Sequence, residues 1–555
     1  MLSIFPIFYI LETVFSLTIE IFSLPMTWKR YRIKKQYSLF LTHMNPDYST
    51  ESLDRIARLE RIRSLGVDPY ASTFPTHSSI RDVNILTEQG TRPIEDIVAS
   101  PHSSLSIAGR VMLHRSFGKI CFMTLSDGTG KIQIMFSREN CSIDIDGEST
   151  PELVGESESV SAYKFAEKFI DLGDFIGVTG ELFFTHKGER TIFVERFTFL
   201  TKAIRPLPEK FHGMEDDDER YRKRYLELTM DDDLRQTFYR KSLFWDTART
   251  FMKGKWFLEV ETPTLEVTTW GAEARPFRTH HHDFDIDIFL RISIGELWQK
   301  RLMAWGFPKT FEIGRAYRNE GSSPEHLQEF TNMEFYWSYA DYRDGMRLVQ
   351  ELYQTIAQTL YGRTNFTARG HTFDLAWDWP IIDYLEIILE KTGIDIMTAT
   401  EDAMKEKLES LSVRYEGSNR ERLMDTLWKY VRRHIAGPVF LVHHPKLISP
   451  LAKESLSHPW LVERFQPVIA GTEVGNGFSE LNNPFDQRDR FALQQSLLEW
   501  GDEEAMMPDW EFVEMLEHGM PPTCGFGFWE RLFAILEDKP LRECQYFPLM
   551  KPRDE

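Results

Sequence analysis

Two periods of apolar and polar residues run along this chain. Between residues 51 and 65, Leu53, Ile56, Leu59 and Ile62 recur at three-residue steps, the pattern of an amphipathic helix, while Arg55, Arg58, Arg61 and Arg63 fill other positions. A basic set of this kind serves either as a solvated face or as a contact to nucleic-acid phosphates. From 104 to 200 the period shortens to two. Segments 106–111, 121–125, 131–136, 175–182 and 191–194 read as strands, with Ser126-Asp127-Gly128-Thr129-Gly130 as the turn between the second and third. Five strands and a small helix over 160–169 predict an OB-type barrel. The acidic stretch 138–159 reads as a solvated loop. Segment 202–213 is a linker stiffened by Pro206 and Pro208.

Composition narrows the classes. At 555 residues the chain is too long for one domain. A hydrophobic fraction of 42% with 14 Trp supplies real cores and excludes global disorder. The net charge of −20 argues against a uniformly basic surface, although local patches still decide any nucleic-acid contact. Cys121, Cys141, Cys524 and Cys544 are scattered with no CxxC pair, which argues against a zinc site or a disulfide framework and fits a reducing cytoplasm. Residues 1–25 are strongly apolar, and Lys29, Arg30, Arg32, Lys34 and Lys35 follow. Three readings are open: an extended or miscalled start with Met44 as the natural first residue, a docking segment, and a membrane anchor. Glu12 and Glu20 interrupt the apolar run, which opposes membrane association. The expected organisation is 1–43 as an N-terminal extension, 44–203 as a helix plus barrel, 204–218 as a linker and 219–555 as a second domain.

The most informative chemistry lies in Tyr317-Arg318-Asn319-Glu320-Gly321, followed by His326 and Glu329-Phe330-Thr331. Glu312-Ile313-Gly314 before it and Met333-Glu334-Phe335-Tyr336 after it alternate as strands do. Two short strands and a polar loop present these side chains on one surface. A planar guanidinium suits a phosphate, an aromatic ring suits a base face, and a carboxylate accepts from an exocyclic amine. The combination points to a nucleoside-triphosphate site on an antiparallel sheet, with no glycine-rich loop. The run His280-His281-His282 invites a metal reading, but metal binding is not expected there.

This stretch resembles motif 2 of the class II aminoacyl-tRNA synthetases, in their lysyl branch. Phe257-Leu258-Glu259-Val260-Glu261-Thr262-Pro263-Thr264-Leu265 resembles motif 1, and the segment from Gly519 to Leu532, with Glu530-Arg531, resembles motif 3. Gly471-Thr472-Glu473-Val474-Gly475-Asn476-Gly477-Phe478-Ser479-Glu480 is a second strong signature. The resemblance runs from about Leu53 to the C-terminus. It implies an α+β fold, with an antiparallel sheet flanked by helices and preceded by an anticodon-binding OB barrel. It also implies a cytoplasmic lysine–tRNA ligase, homodimeric through motif 1, that uses ATP, L-lysine, tRNA(Lys) and Mg2+.

Site residues carry over by position. Arg318 matches the arginine bridging the ATP α-phosphate and the substrate carboxylate. Glu320 matches the adenine-amine contact, His326 a contact to the outer phosphates, Phe330 the ring stacked on adenine, and Arg531 the γ-phosphate clamp. Glu473 matches a magnesium ligand. Gly271, Glu296, Glu334, Tyr336, Asn476, Phe478 and Glu480 match the lysine pocket, in which Glu296 and Glu480 face the side-chain ammonium. Phe122, Gln133 and Glu189 match the anticodon contacts. The chain departs from the family pattern at Trp270, where a glycine is usual, at Glu325, often a basic position, at Gln466, where a second metal-binding carboxylate stands, and in a shortened motif 3. The competing readings are an aspartyl- or asparaginyl-type enzyme, a lysyl-transferase acting on another acceptor, and a non-catalytic nucleotide- or tRNA-binding paralogue.

Overall fold

In a computed structural model of the chain the described residues are 48–75, 78–86, 91, 93–99, 105–155, 158–208, 216–268, 274–321, 323, 325–415, 419–499 and 507–553. The apolar segment 1–43, Met44, Trp270 and Gly271 lie outside them. The chain divides into two compact units, 1–213 and 214–555.

The first unit is a barrel. Its strands run in the order Lys131–Ser137, Ile120–Ser126, Leu105–Phe117, Phe175–Phe184, Arg190–Thr201, and the first pairs in parallel with the last to close the ring. Inward positions alternate along each strand: Cys121, Met123 and Leu125 on one, Ile132, Ile134 and Phe136 on the next. Helix Ala162–Phe169 adds Phe165 and Phe169 to this core. Gly180 lies at a bulge where a Cβ would fall 1.9 Å from the Phe193 carbonyl oxygen, so only glycine fits this close strand approach.

Two expectations change here. The acidic stretch 138–159 is not a plain loop. Ser142–Ile145 pairs with Glu148–Thr150, and Glu152–Val154 with Ser159–Ser161. Ile143 and Leu153 anchor these hairpins in the core, and Asp146 and Gly147 adopt the positive φ of a tight turn. The arginines of helix Thr50–Ser64 are not a free basic face. Arg55 is buried and donates to the Leu172 and Ala203 carbonyls, while Arg58, Arg61 and Arg63 pair with Asp171, Glu158 and Glu60. Arg55, Arg58 and Arg61 fasten the helix to the barrel, and Asp171 and Glu158 come from segments distant in sequence, whereas Arg63 pairs within the helix.

The second unit is built on a nine-stranded sheet. The main path runs Leu258–Glu259, Lys309–Tyr317, Glu329–Ser338, Thr523–Trp529, Asn476–Ser479, Arg464–Ile469, Val439–Val442, Ile381–Asp383. Pairing is antiparallel except at the two ends. Strand Glu329–Ser338 shows how the pleat assigns its residues. Met333 and Phe335 are fully buried in a core that includes Phe244, Ala248 and Met252 of helix Asp232–Gly254 and Val349, Leu352 and Ile356 of helix Tyr342–Tyr361. Asn332, Glu334 and Tyr336 point the other way and line a cavity. An Asp341–Asp344 capping box starts the second of these helices. Helices Tyr384–Thr392, Glu401–Ser410 and Arg420–Arg432 form a satellite core around Leu408, Leu427 and Trp428.

Candidate active site

The cavity on the polar face of the sheet has a volume of about 460 Å³. Its lining brings together Glu296, Arg318, Glu334, Tyr336, Asn476, Phe478 and Glu480 from one helix and from three strands or the residue just after them. Glu296 opens helix Glu296–Trp305, after Gly295 in the left-handed region. Glu480 follows strand Asn476–Ser479, and its N–H donates to the Thr523 carbonyl. Room for these acids comes from a glycine: a Cβ on Gly525 would lie 2.0 Å from Glu480 Oε1 and 2.7 Å from the Tyr336 ring.

A ligand ammonium was the expected partner of Glu296 and Glu480. The protein already supplies one. Lys300, one helical turn after Glu296, is buried with its Nζ 2.6 Å from Glu480 Oε2 and 3.1 Å from Glu296 Oε1. Burial pushes its pKa down, but the two carboxylates outweigh this and raise it, so the ammonium keeps its proton. Burial in turn raises the Glu480 carboxyl against the pull of Lys300. The third acid, Glu334, accepts from the Ile294 N–H at 2.8 Å, the Asn332 amide at 3.0 Å and the Tyr336 hydroxyl at 3.2 Å. Burial, with the charge of Glu296, raises it to about 7.

Behind the cavity, Arg291 pairs with Glu312 at 2.6 Å, and Glu312 accepts from both the N–H and the hydroxyl of Thr262. This strut ties motif 1 to the strand carrying motif 2, and sequence reasoning gave it no role. Arg318 lies 5.1 Å over the Phe330 ring and donates to the Ile292 carbonyl. Burial lowers its pKa, and Glu320 and Glu334 oppose that. Asn476 accepts from Arg464 at 2.8 Å. Glu320, Phe330 and His326 do not line the cavity itself. His326 is exposed, its Nδ1 2.7 Å from the Ser323 hydroxyl.

A second polar cluster surrounds Glu473. The Trp428 indole N–H donates to Glu473 Oε1 at 2.5 Å, and Arg432 Nη1 lies 3.6 Å from Oε2. Burial pushes the Glu473 carboxyl up, yet Arg432, Trp428, Arg531 and Arg464 together hold it below the ordinary carboxylate range. Arg531 is deeply buried over Trp529, and its pKa falls to about 10, through burial first and then through the charges of Arg432 and Arg369, against the pull of Glu473 and Glu325. Arg369, at the tip of hairpin 365–374, donates to Thr472 and pairs with Glu325 at 2.8 Å. Gln466 accepts from His444 at 3.0 Å. This donor set does not form a closed metal site by itself, and an ion here would rely on substrate phosphates for most of its ligands. Glu473 is the one carboxylate where two stand in the family pattern, and it is already engaged. Among the described residues, no group of three His, Cys, Asp or Glu could hold a metal.

On the barrel, Phe122 and Gln133 share one face: Phe122 stands opposite Met135, and Thr124 opposite Gln133. Phe122 packs edge-on against the exposed Phe117. Gln133 donates to Thr191 at 2.9 Å, and the exposed Glu189 lies in the turn leading to Thr191.

Two family models match this chain. The family described as tRNA synthetases class II (D, K and N) matches residues 216–551, and an OB-fold nucleic acid binding domain matches 105–200. The chain belongs to the class II tRNA synthetases of this D, K and N group. Among individual proteins it is similar to the lysine–tRNA ligase of Thermotoga maritima, 40% identical over 503 residues that cover 90% of this chain and 95% of that protein. The lysine–tRNA ligases of Thermosipho africanus and Roseiflexus are each 39% identical, over 90% of this chain and 95% and 98% of theirs.

Proposed function

We propose that this chain activates L-lysine with ATP and transfers the lysyl group to tRNA(Lys). The charge count of the cavity carries the reading. Three buried carboxylates, Glu296, Glu334 and Glu480, face one internal ammonium, Lys300. When all are ionised, two negative charges remain, and lysine brings two ammonium groups. Arg318 meets its carboxylate. An aspartate would instead set its side-chain carboxylate against Glu296 and Glu480, a stranding of buried like charges that discriminates strongly.

In the first step a lysine carboxylate oxygen attacks the α-phosphorus of ATP, the bond to the β-phosphate breaks, and pyrophosphate leaves. No protein nucleophile is needed. Arg318 neutralises charge at the α-phosphate, Arg531 and His326 meet the outer phosphates, Phe330 stacks on adenine and Glu320 accepts from its amine. Tyr336, Asn476 and Phe478 shape the amino-acid pocket, and the backbone of Gly271 would approach the α-amino group. In the second step a tRNA ribose hydroxyl attacks the lysyl carbonyl and AMP leaves. Class II synthetases are ATP-dependent and generally use Mg2+; here the ion would arrive with the nucleotide, beside Glu473. Phe122 offers a stacking platform to an anticodon base, with Gln133 and Glu189 beside it.

A homodimer through motif 1 belongs to the same reading. It is supported by exposed apolar side chains on and around that element, Tyr239, Leu243, Trp256, Leu258 and Leu265, of which Trp256 is 87% exposed. Sedimentation at several concentrations tests it. No helix among the described residues is long and apolar enough to cross a membrane, and a cytoplasmic location fits this chemistry.

The deciding experiment is ATP–pyrophosphate exchange with each amino acid in turn, on the wild type and Glu480→Gln. Exchange with lysine alone, reduced at least about a hundredfold in the variant, is expected. No exchange with any amino acid would overturn the reading.

A further inference from the structure

The cluster around Glu473 holds more guanidinium than carboxylate. Arg369, Arg432 and Arg531 surround Glu325 and Glu473. Arg432 Nε and Nη1, and Arg531 Nε, are buried and donate no hydrogen bond among the described residues; the 3.6 Å ion pair of Arg432 Nη1 with Glu473 is too long to be one. Buried guanidinium N–H groups without acceptors are rare and unfavourable. Their persistence on two neighbouring side chains points to an acceptor that arrives from outside. Arg432 ends helix Arg420–Arg432, whose residues Arg422, Asp425 and Lys429 line the cavity wall. The hairpin bearing Arg369 touches the same helix end through His371, whose Nε2 lies 3.1 Å from the Arg433 carbonyl oxygen.

The carboxylate chemistry points the same way. Where the family pattern carries a second metal-binding acid, this chain has Gln466, turned to His444. The remaining acid, Glu473, is held by Trp428 and Arg432. A position read as often basic is Glu325, and Arg369 pairs with it. Three guanidiniums here face two carboxylates, so the cluster carries a surplus of positive charge.

We propose that Arg432 is a nucleotide-phosphate-binding residue of this chain, supported by Arg369, and that the pair supplies part of the charge neutralisation otherwise assigned to a protein-held divalent cation. On ATP binding, the Arg432 fork leaves Glu473 and takes the β- or γ-phosphate oxygens, while Arg531 takes the other side. A planar fork suits this bidentate contact. The inference rests on the ATP-dependent activation proposed above, and its test separates the two.

The test measures ATP and L-lysine binding by calorimetry on the full chain, in Mg2+ and in EDTA, for wild type, Arg432→Met and Arg432→Lys. Wild type is expected to bind ATP in EDTA. Arg432→Met should weaken ATP binding in EDTA about tenfold or more, with a smaller loss in Mg2+ and unchanged lysine affinity. Arg432→Lys should fall between, since it keeps the charge and loses the fork, and it serves as the test if the methionine variant does not fold. Wild type that binds ATP only with Mg2+, or variants that bind ATP in EDTA as tightly as wild type, would overturn the proposal while lysine binding stands. Wild type that binds neither ATP nor lysine would overturn the proposed activity itself.

Discussion

Lys300 Nζ stands 2.6 Å from Glu480 Oε2 behind the wall of the acid-lined cavity, both side chains almost fully buried. Removing one partner of such a pair strands the other. Lys300→Met is expected to destabilise the unliganded protein by about 3–5 kcal/mol at pH 7.5. Urea melts with and without L-lysine check this. Lysine should recover part of the loss by bringing an ammonium to the same carboxylates, and an unchanged midpoint would mean the pair is not formed.

The pH dependence follows from Glu334, which burial raises to about 7. Its unfolded value is about 4.3. The folded state therefore holds a proton that the unfolded state has released between these values, so this group's contribution to stability is full below about 4.3 and is lost as pH rises through 7. Binding of a cationic ligand runs the opposite way, because it needs the ionised carboxylate. Lysine affinity is expected to tighten by up to about tenfold per unit as pH rises toward 7, and Glu480, raised by burial to about 8, extends the rise before it flattens. Titration calorimetry from pH 5.5 to 8.5 reads this out, and Glu334→Gln should remove the dependence due to this residue.

Gly525→Ala probes the space beside the acids. The new Cβ would meet Glu480 Oε1 at 2.0 Å and the Tyr336 ring at 2.7 Å. Glu480 must shift, so lysine affinity is expected to fall at least about tenfold while ATP affinity holds. Equal losses of both ligands would instead signal a disrupted sheet.

On the barrel, Phe122→Ala is expected to raise the KM for tRNA about tenfold or more, as loss of one base-stacking platform does. Lysine-dependent pyrophosphate exchange should be unaffected. A change in exchange without a change in tRNA KM would take Phe122 out of the tRNA contact.

The barrel strands and the motif-bearing sheet were legible because their residues alternate cleanly, as in Lys131-Ile132-Gln133-Ile134-Met135-Phe136. The hairpins within 138–159 were not, although Ser142-Ile143-Asp144-Ile145 followed by Asp146-Gly147 carries the signal; the abundance of acids outweighed it. The role of Lys300 was half legible. Its spacing from Glu296 puts both on one helix face, but nothing local places Glu480 there. Arg432 and Arg369 were invisible, because their approach to Glu473 and Glu325 depends on how a satellite helix and a hairpin pack. Of the helix arginines, Arg61 and Arg63 are exposed as a solvated face requires, while the burial of Arg55 was not legible because the carbonyls it meets, Leu172 and Ala203, lie far along the chain.

The pleat of strand Glu329–Ser338 sets Glu334 in the cavity and Phe335, its neighbour, in the core. One inserted or deleted residue would exchange the two sets, sending carboxylates into the hydrocarbon interior and rings into the pocket. The strand's length is therefore as constrained as its chemistry. A one-residue insertion here could be tolerated only if a bulge absorbed it and restored the alternation.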